Sequence, residues 1–147
     1  MIRVIATLLV AGLLLSACGT QSESAAMKVW VKQSSFHANT TTLESDVRHS
    51  ATALEGPSSS VHLLHLVCDV LDFDVRAANA SLPTPDAQSN TLLSHAYTDI
   101  DSGANTCFSA GTNVGLRKKA FGYLRKGLSE LSEALLRVDV AAGTAKS

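Results

Sequence analysis

The chain predicts an all-α fold, an antiparallel up-and-down four-helix bundle with one inter-helix disulfide. Three observations carry that expectation. Four segments place apolar residues three or four apart, no segment sustains the two-residue alternation of a strand, and glycine, proline or small polar residues separate the four. Short connectors between amphipathic helices make sequence neighbours antiparallel.

The first helix carries Val29, Gln33, Phe36, Thr40, Leu43, Val47, Ala51 and Leu54 on one stripe, and Gly56-Pro57 ends it. Ser58 to Ser60 can cap the second, whose stripe reads Leu63, Val67, Val70, Leu71 and Ala78. Pro83 and Pro85 then break the chain. A third helix follows with Leu92, Leu93, Ala96, Ile100 and Cys107, closed by Gly111. Thr112 or Asn113 caps the last, whose seam runs Leu116, Ala120, Phe121, Leu124, Leu128, Leu131, Leu135 and Val138. Weak points are the β-branched run Thr40-Thr41-Thr42 and Gly115, Gly122 and Gly127, each glycine costing about 1 kcal/mol of helix propensity relative to alanine.

The front of the chain reads differently. Arg3 supplies a positive charge, Ile5 to Leu15 is apolar, and small residues follow, which is the layout of a secretory signal. A bilayer-spanning helix needs about 20 apolar residues, more than this stretch contains. Leu15-Ser16-Ala17-Cys18 resembles the bacterial lipobox, in which the cysteine is acylated and becomes the first residue of the mature chain. That resemblance implies lipidation of Cys18 and a protein held on the extracytoplasmic face of the cell membrane. Several acyl chains would make the hold durable, at about 0.8 kcal/mol per buried methylene. The organisation expected is a signal peptide over 1–17, a lipidated cysteine and flexible tether over 18–26, a bundle over 27–142 and a disordered tail over 143–147.

Three cysteines leave one over, and acylation of Cys18 would account for it. Cys68 and Cys107 then form a pair suited to an oxidising compartment, the alternative being two separately buried thiols. For the pair to meet, the second helix should extend to Leu82 and the third start near Asn90. A long irregular connector over Pro83–Ser89 follows, with Gly103 and Ala104 letting the two backbones approach. The run Leu82-Pro83-Thr84-Pro85-Asp86, then Leu92 to Ala96, then Gly103-Ala104-Asn105-Thr106-Cys107, resembles small helical lipoproteins of actinobacteria over about the last 90 residues. The resemblance implies a single inter-helix disulfide and carries no activity with it.

Charge narrows the function classes. The chain has 12 Lys and Arg against 13 Asp and Glu, a balance of −1 that becomes −2 without Arg3, so it lacks the basic footprint of a nucleic-acid binder. His62, His65, Asp69 and Asp72 share a helix face at metal-ligand spacing, and His62, His65 and Asp69 form the candidate metal set against the reading of a polar solvent stripe. Asp74 stands among Val67, Val70 and Ala78, so it either reaches water at a rim or needs a partner, with Gln33, His37 and Tyr97 as candidates. Lys118, Lys119, Arg125 and Lys126, with Arg117, make a candidate basic patch for anionic headgroups or an acidic partner, or else a solvated face balanced by Glu130 and Glu133. Lys119, Lys126 and Arg137 are expected opposite the leucine seam.

The sequence has no Cys-x-x-Cys-His, no Gly-x-Ser-x-Gly, no phosphate-binding glycine loop and no His-Glu-x-x-His. The functional expectation is a non-enzymatic, membrane-anchored interaction or envelope-associated module without a cofactor, having a protein partner in the envelope and no nucleic acid. The alternative is a ligand- or metal-binding lipoprotein using the His62/His65/Asp69 face.

Overall fold

The computed structural model describes residues 22–56 and 60–145, which form five helices and no strand. They are α1 (Glu23–Gln33), α2 (Phe36–Glu55), α3 (Val61–Asn79), α4 (Ala87–Ala110) and α5 (Val114–Ala142). Cys18 and the signal segment lie outside the described residues, as do Lys146 and Ser147. None of the described helices is long and apolar enough to cross a membrane.

The first helix expected from sequence is two helices. The break falls at Ser34-Ser35, where Ser35 adopts a left-handed backbone with φ 51°. The Ser34 hydroxyl donates to the Trp30 carbonyl at 2.7 Å, a local bond of the kind that lets serine compete with helix continuation. After the break the sequence stripe holds, since Phe36, Thr40, Leu43, Val47 and Leu54 are buried. Before it the stripe fails: Met27 is the buried residue of α1, while Val29 is exposed. The tether is also shorter than expected, because Ser22 caps α1 and Glu23 to Ala26 form its first turn. At the other end Gly143, in the left-handed region with φ 66°, closes α5, and Thr144 and Ala145 donate to the Asp139 carbonyl.

Cap chemistry explains the remaining helix starts. The side chains of Ser60, Asp86 and Asn113 accept from the backbone amides of Leu63, Ser89 and Leu116, each satisfying a donor that the first turn would leave orphaned. Gly111, with φ 47°, ends α4 as expected.

Residue pairings define how the helices lie. Ser50 bonds the Val67 carbonyl between α2 and α3, Cys68 bridges Cys107 between α3 and α4, and Lys126 meets Asp99 between α4 and α5. His37 and Asp139 approach at one end of α2 and α5, and Arg117 donates to the Gly56 carbonyl at the other. Packing between α4 and α5 is the tightest. A methyl group added at Gly127 would stand 2.7 Å from Ile100 Cγ1 and 3.1 Å from the Ala96 carbonyl, so only glycine permits this approach. Gly127 thus offsets its propensity cost by packing. Gly103 faces Leu124 of α5, and not α3 as the sequence suggested.

The disulfide is present, with Cα atoms 5.9 Å apart, and both cysteines are fully buried. The expected connector is corrected: α3 stops at Asn79 and α4 starts at Ala87, so the turn is residues 80–86. Cys68 lies 11 residues from the end of α3 and Cys107 lies 20 from the start of α4. Nine residues of helix, about 14 Å, must therefore be absorbed by connector chain running on past α3. That chain is held by the Trp30 indole donating to the Ser81 carbonyl at 2.9 Å and by the Asn90 side chain accepting from the Thr84 amide. The peptide bond Leu82–Pro83 is cis.

The phase of α3 is the largest correction. Its buried residues are Leu64, Cys68, Leu71, Val75 and Ala78, whereas Leu63 and Val70 of the expected stripe are each 45% exposed. Leu71 and Ala78 are buried as expected, and the buried face as a whole is turned by about 70° from the expected one.

Candidate functional site

The rotation of α3 turns a second apolar row outward. Leu63, Leu66, Val70 and Phe73 are 45%, 56%, 45% and 73% exposed, and exposed Ala77 continues the row. Their spacing of three, four, three and four residues is that of the a and d positions of a heptad, the seam that one helix offers another. Roughly 400 Å² of apolar surface is open here, the size of the largest patch on a typical monomer and often a functional one. Exposed His62, Asp69 and Arg76 line one margin. Half-buried Val67 and Asp74 line the other.

Asp74 finds a partner, though none of the expected ones. Its carboxyl faces that of Asp46 on α2, and burial, then Asp74, push the Asp46 carboxyl above its usual range, partly countered by His49. Asp46 Oδ2 is buried and has no hydrogen-bond partner. A carboxyl whose folded pKa is raised contributes stability below its unfolded pKa, and that contribution is lost as pH rises through the folded value. The pair is therefore a cost at neutral pH. Asp46→Asn is expected to raise the melting temperature at pH 7 by about 2 °C, on the order of 0.5 kcal/mol, and to change nothing at pH 3. Thermal melts at the two pH values check this, and a lower melting temperature at pH 7 would refute the repulsion.

The candidate metal set does not assemble. The His65 ring stacks on Phe108 of α4 with centroids 4.4 Å apart, while His62 and Asp69 are exposed. Among the described residues no group of three or more His, Cys, Asp and Glu side chains is placed to hold a metal ion.

The members of the candidate basic patch have different local partners. Lys126 bonds Asp99 at 2.7 Å and lies 3.4 Å from Glu130. Burial opposes the Asp99 charge, but the Lys126 ammonium and Glu130 together hold its carboxyl below the usual range. Lys119 sits over the Tyr123 ring. Arg117 donates to the Gly111 and Gly56 carbonyls, tying α5 to the end of α2. Lys118 joins Leu54, Val114, Arg117 and Phe121 around a cleft of about 560 Å³ at that end. Arg125 is exposed.

Arg137, expected in solvent opposite the seam, is instead the partner of Asp86. Its Nε donates to Asp86 Oδ2 at 3.0 Å and its second nitrogen donates to Oδ1, a bidentate pair in which Asp86 is 3% exposed. Asp86 also accepts from the Ser89 amide at 2.6 Å, so one carboxylate both caps α4 and fastens it to α5. Arg137, Ser89 and Glu23 hold that carboxyl far below the usual range against the opposing effect of burial. In the sequence, the motif Asp86-Ala87-Gln88-Ser89 after a proline signalled the cap, but nothing signalled the distant arginine.

No family model, curated protein or solved structure matches the chain.

Proposed function

We propose that this protein is an exported lipoprotein, acylated at Cys18 and held on the extracytoplasmic face of the cell membrane, acting there as a non-enzymatic interaction module. The observation that carries the reading is the lipobox-like Leu15-Ser16-Ala17-Cys18 ending an apolar run. Support comes from the Cys68–Cys107 bridge, which suits an oxidising compartment and accounts for the other two cysteines. On this reading α2 to α5 form an up-and-down four-helix bundle, and α1 is an added strut under one end.

Placement of the chain start favours a protein partner over lipid for the exposed groups. Cys18 precedes Ser22, the cap of α1, by four residues, a reach of about 14 Å. Gly143, at the end of α5, lies against Ser24. Lys118 is 25 residues up α5 from Gly143, or about 37 Å along the helix. A single upright molecule would therefore carry Lys118 and Lys119 of α5 far beyond the Debye length of about 8 Å from headgroups at the anchored end, where Lys28 and Lys32 of α1 lie. The acidic residues of α3 similarly disfavour an anionic bilayer for its apolar row.

Metabolic labelling with a palmitate analogue tests the anchor. Wild type is expected to take up label and to sediment with membranes, and Cys18→Ala to take up none. An unlabelled wild type would overturn the reading.

A further inference from the structure

We infer that the outward row of α3 is a homodimer seam, in which α3 of one copy packs antiparallel on α3 of a second. The inference deepens the interaction-module reading by naming the partner, and its test does not depend on the acyl anchor.

Spacing and charge carry the argument together. Leu63, Leu66, Val70, Phe73 and Ala77 occupy successive a and d positions, so the surface they form is shaped for another helix, not for a small ligand. The residues that would flank that seam are His62, Asp69 and Arg76 on one side and Val67 and Asp74 on the other. In a parallel pair, Asp69 of each copy would lie beside Asp74 of its mate, placing like charges together at two points. Turning one helix over changes this. With Val70 level with Phe73 of the second copy, Leu66 falls level with its Ala77, and Asp69 comes within about one turn of its Arg76. The two-fold axis repeats each contact, giving two apolar layers of each kind and two Asp69–Arg76 pairs. Arg76 is exposed and bonds Asp72 of its own helix at 3.0 Å, an exposed contact that Asp69 of a second copy can join or replace.

Area sets the strength. Two faces of roughly 400 Å² together with their margins reach only the lower range of specific interfaces, so the dimer is a weak one, of micromolar order. Turning one copy over puts the two amino-terminal anchors at opposite ends of the seam, so anchored copies pair with α3 lying along the membrane surface, where confinement gives the high effective concentration at which weak contacts suffice.

The test uses the chain from Cys18 onward with Cys18→Ser, exported so that the bridge forms; it retains every described residue. Sedimentation equilibrium between about 1 μM and 1 mM is expected to show a reversible monomer–dimer transition. Phe73→Glu should abolish it, and Arg76→Glu should weaken it at least tenfold. Adding Asp69→Arg to Arg76→Glu should restore association, since the two charges then pair with reversed sign. A monomer at 1 mM, or a dimer indifferent to Phe73→Glu, would overturn the seam. Failure of the double variant to recover, with helicity unchanged by circular dichroism, would overturn the antiparallel register. Unlabelled Cys18 with intact dimerisation would refute the anchor alone.

Discussion

Loss of the Cys68–Cys107 bridge is expected to lower the melting temperature by about 15 °C. The two residues are 39 positions apart, and closing a loop of that length removes enough unfolded-state entropy to stabilise the fold by about 4 kcal/mol on the chain-entropy model. A domain of this size converts that energy into a shift of the stated order. Both cysteines are fully buried between α3 and α4. Reductant therefore reaches them only in opened molecules, and the bridge should resist dithiothreitol at 25 °C and yield near the transition. Thermal melts of wild type with and without reductant, and of the double variant Cys68→Ala/Cys107→Ala, measure the effect. A shift below about 3 °C would mean that the unfolded chain is constrained by something other than the bridge.

Asp86→Ala is expected to cost about 2–3 kcal/mol, about 1 for the lost cap and the rest for the charge-assisted bidentate pair. Two structures fail at once. The first turn of α4 loses its cap at Ser89, and Arg137, whose side chain is 31% exposed, loses the carboxylate that fastens it to α4. The pH dependence has a definite sign. A carboxyl held below its usual range contributes stability above its unfolded pKa of about 3.9, and that contribution is lost as pH falls through the folded value. Wild type should therefore lose stability steeply below about pH 4, and Asp86→Asn should show a shallower acid slope. Urea unfolding at pH 7 and pH 3 checks both statements; equal slopes in the two proteins would remove Asp86 from the account.

These two contacts differ in how far the sequence revealed them. The bridge was legible, because three cysteines with one at a lipobox-like position leave a single pair. Asp86 carried a cap signal that the expected start near Asn90 passed over, and it was illegible as an ion pair. Its partner is 51 residues away, and only the crossing of α4 and α5 determines which arginine arrives. Asp46 and Asp74 teach the same lesson with opposite sign, since their meeting depends on the side of α3 that turns toward α2.

That orientation is where reading periodicity failed. Helix α3 has apolar residues on two faces, one through Leu64, Cys68, Leu71 and Val75 and the other through Leu63, Leu66, Val70 and Phe73. Periodicity establishes the helix but not its phase when two stripes compete. A usable signal was present in Cys68: a bridging sulfur must face its partner helix, and the residues in line with Cys68 are the ones found inside. The break at Ser34-Ser35 had a similar cue in the paired serines, which a continuous stripe from Val29 to Leu54 concealed.

The sequence by itself determined that the described chain is helical, that helices are capped near Ser60 and Asn113 and stop at Gly56 and Gly111, and which cysteines join, because those features depend on local backbone chemistry and on counting. Tertiary structure alone decided which face of α3 is inside, how closely α4 and α5 approach through Gly127, and which charges meet. Burial and pairing belong to the packed assembly of helices, and a pattern along one chain contains no term for the neighbour that covers it.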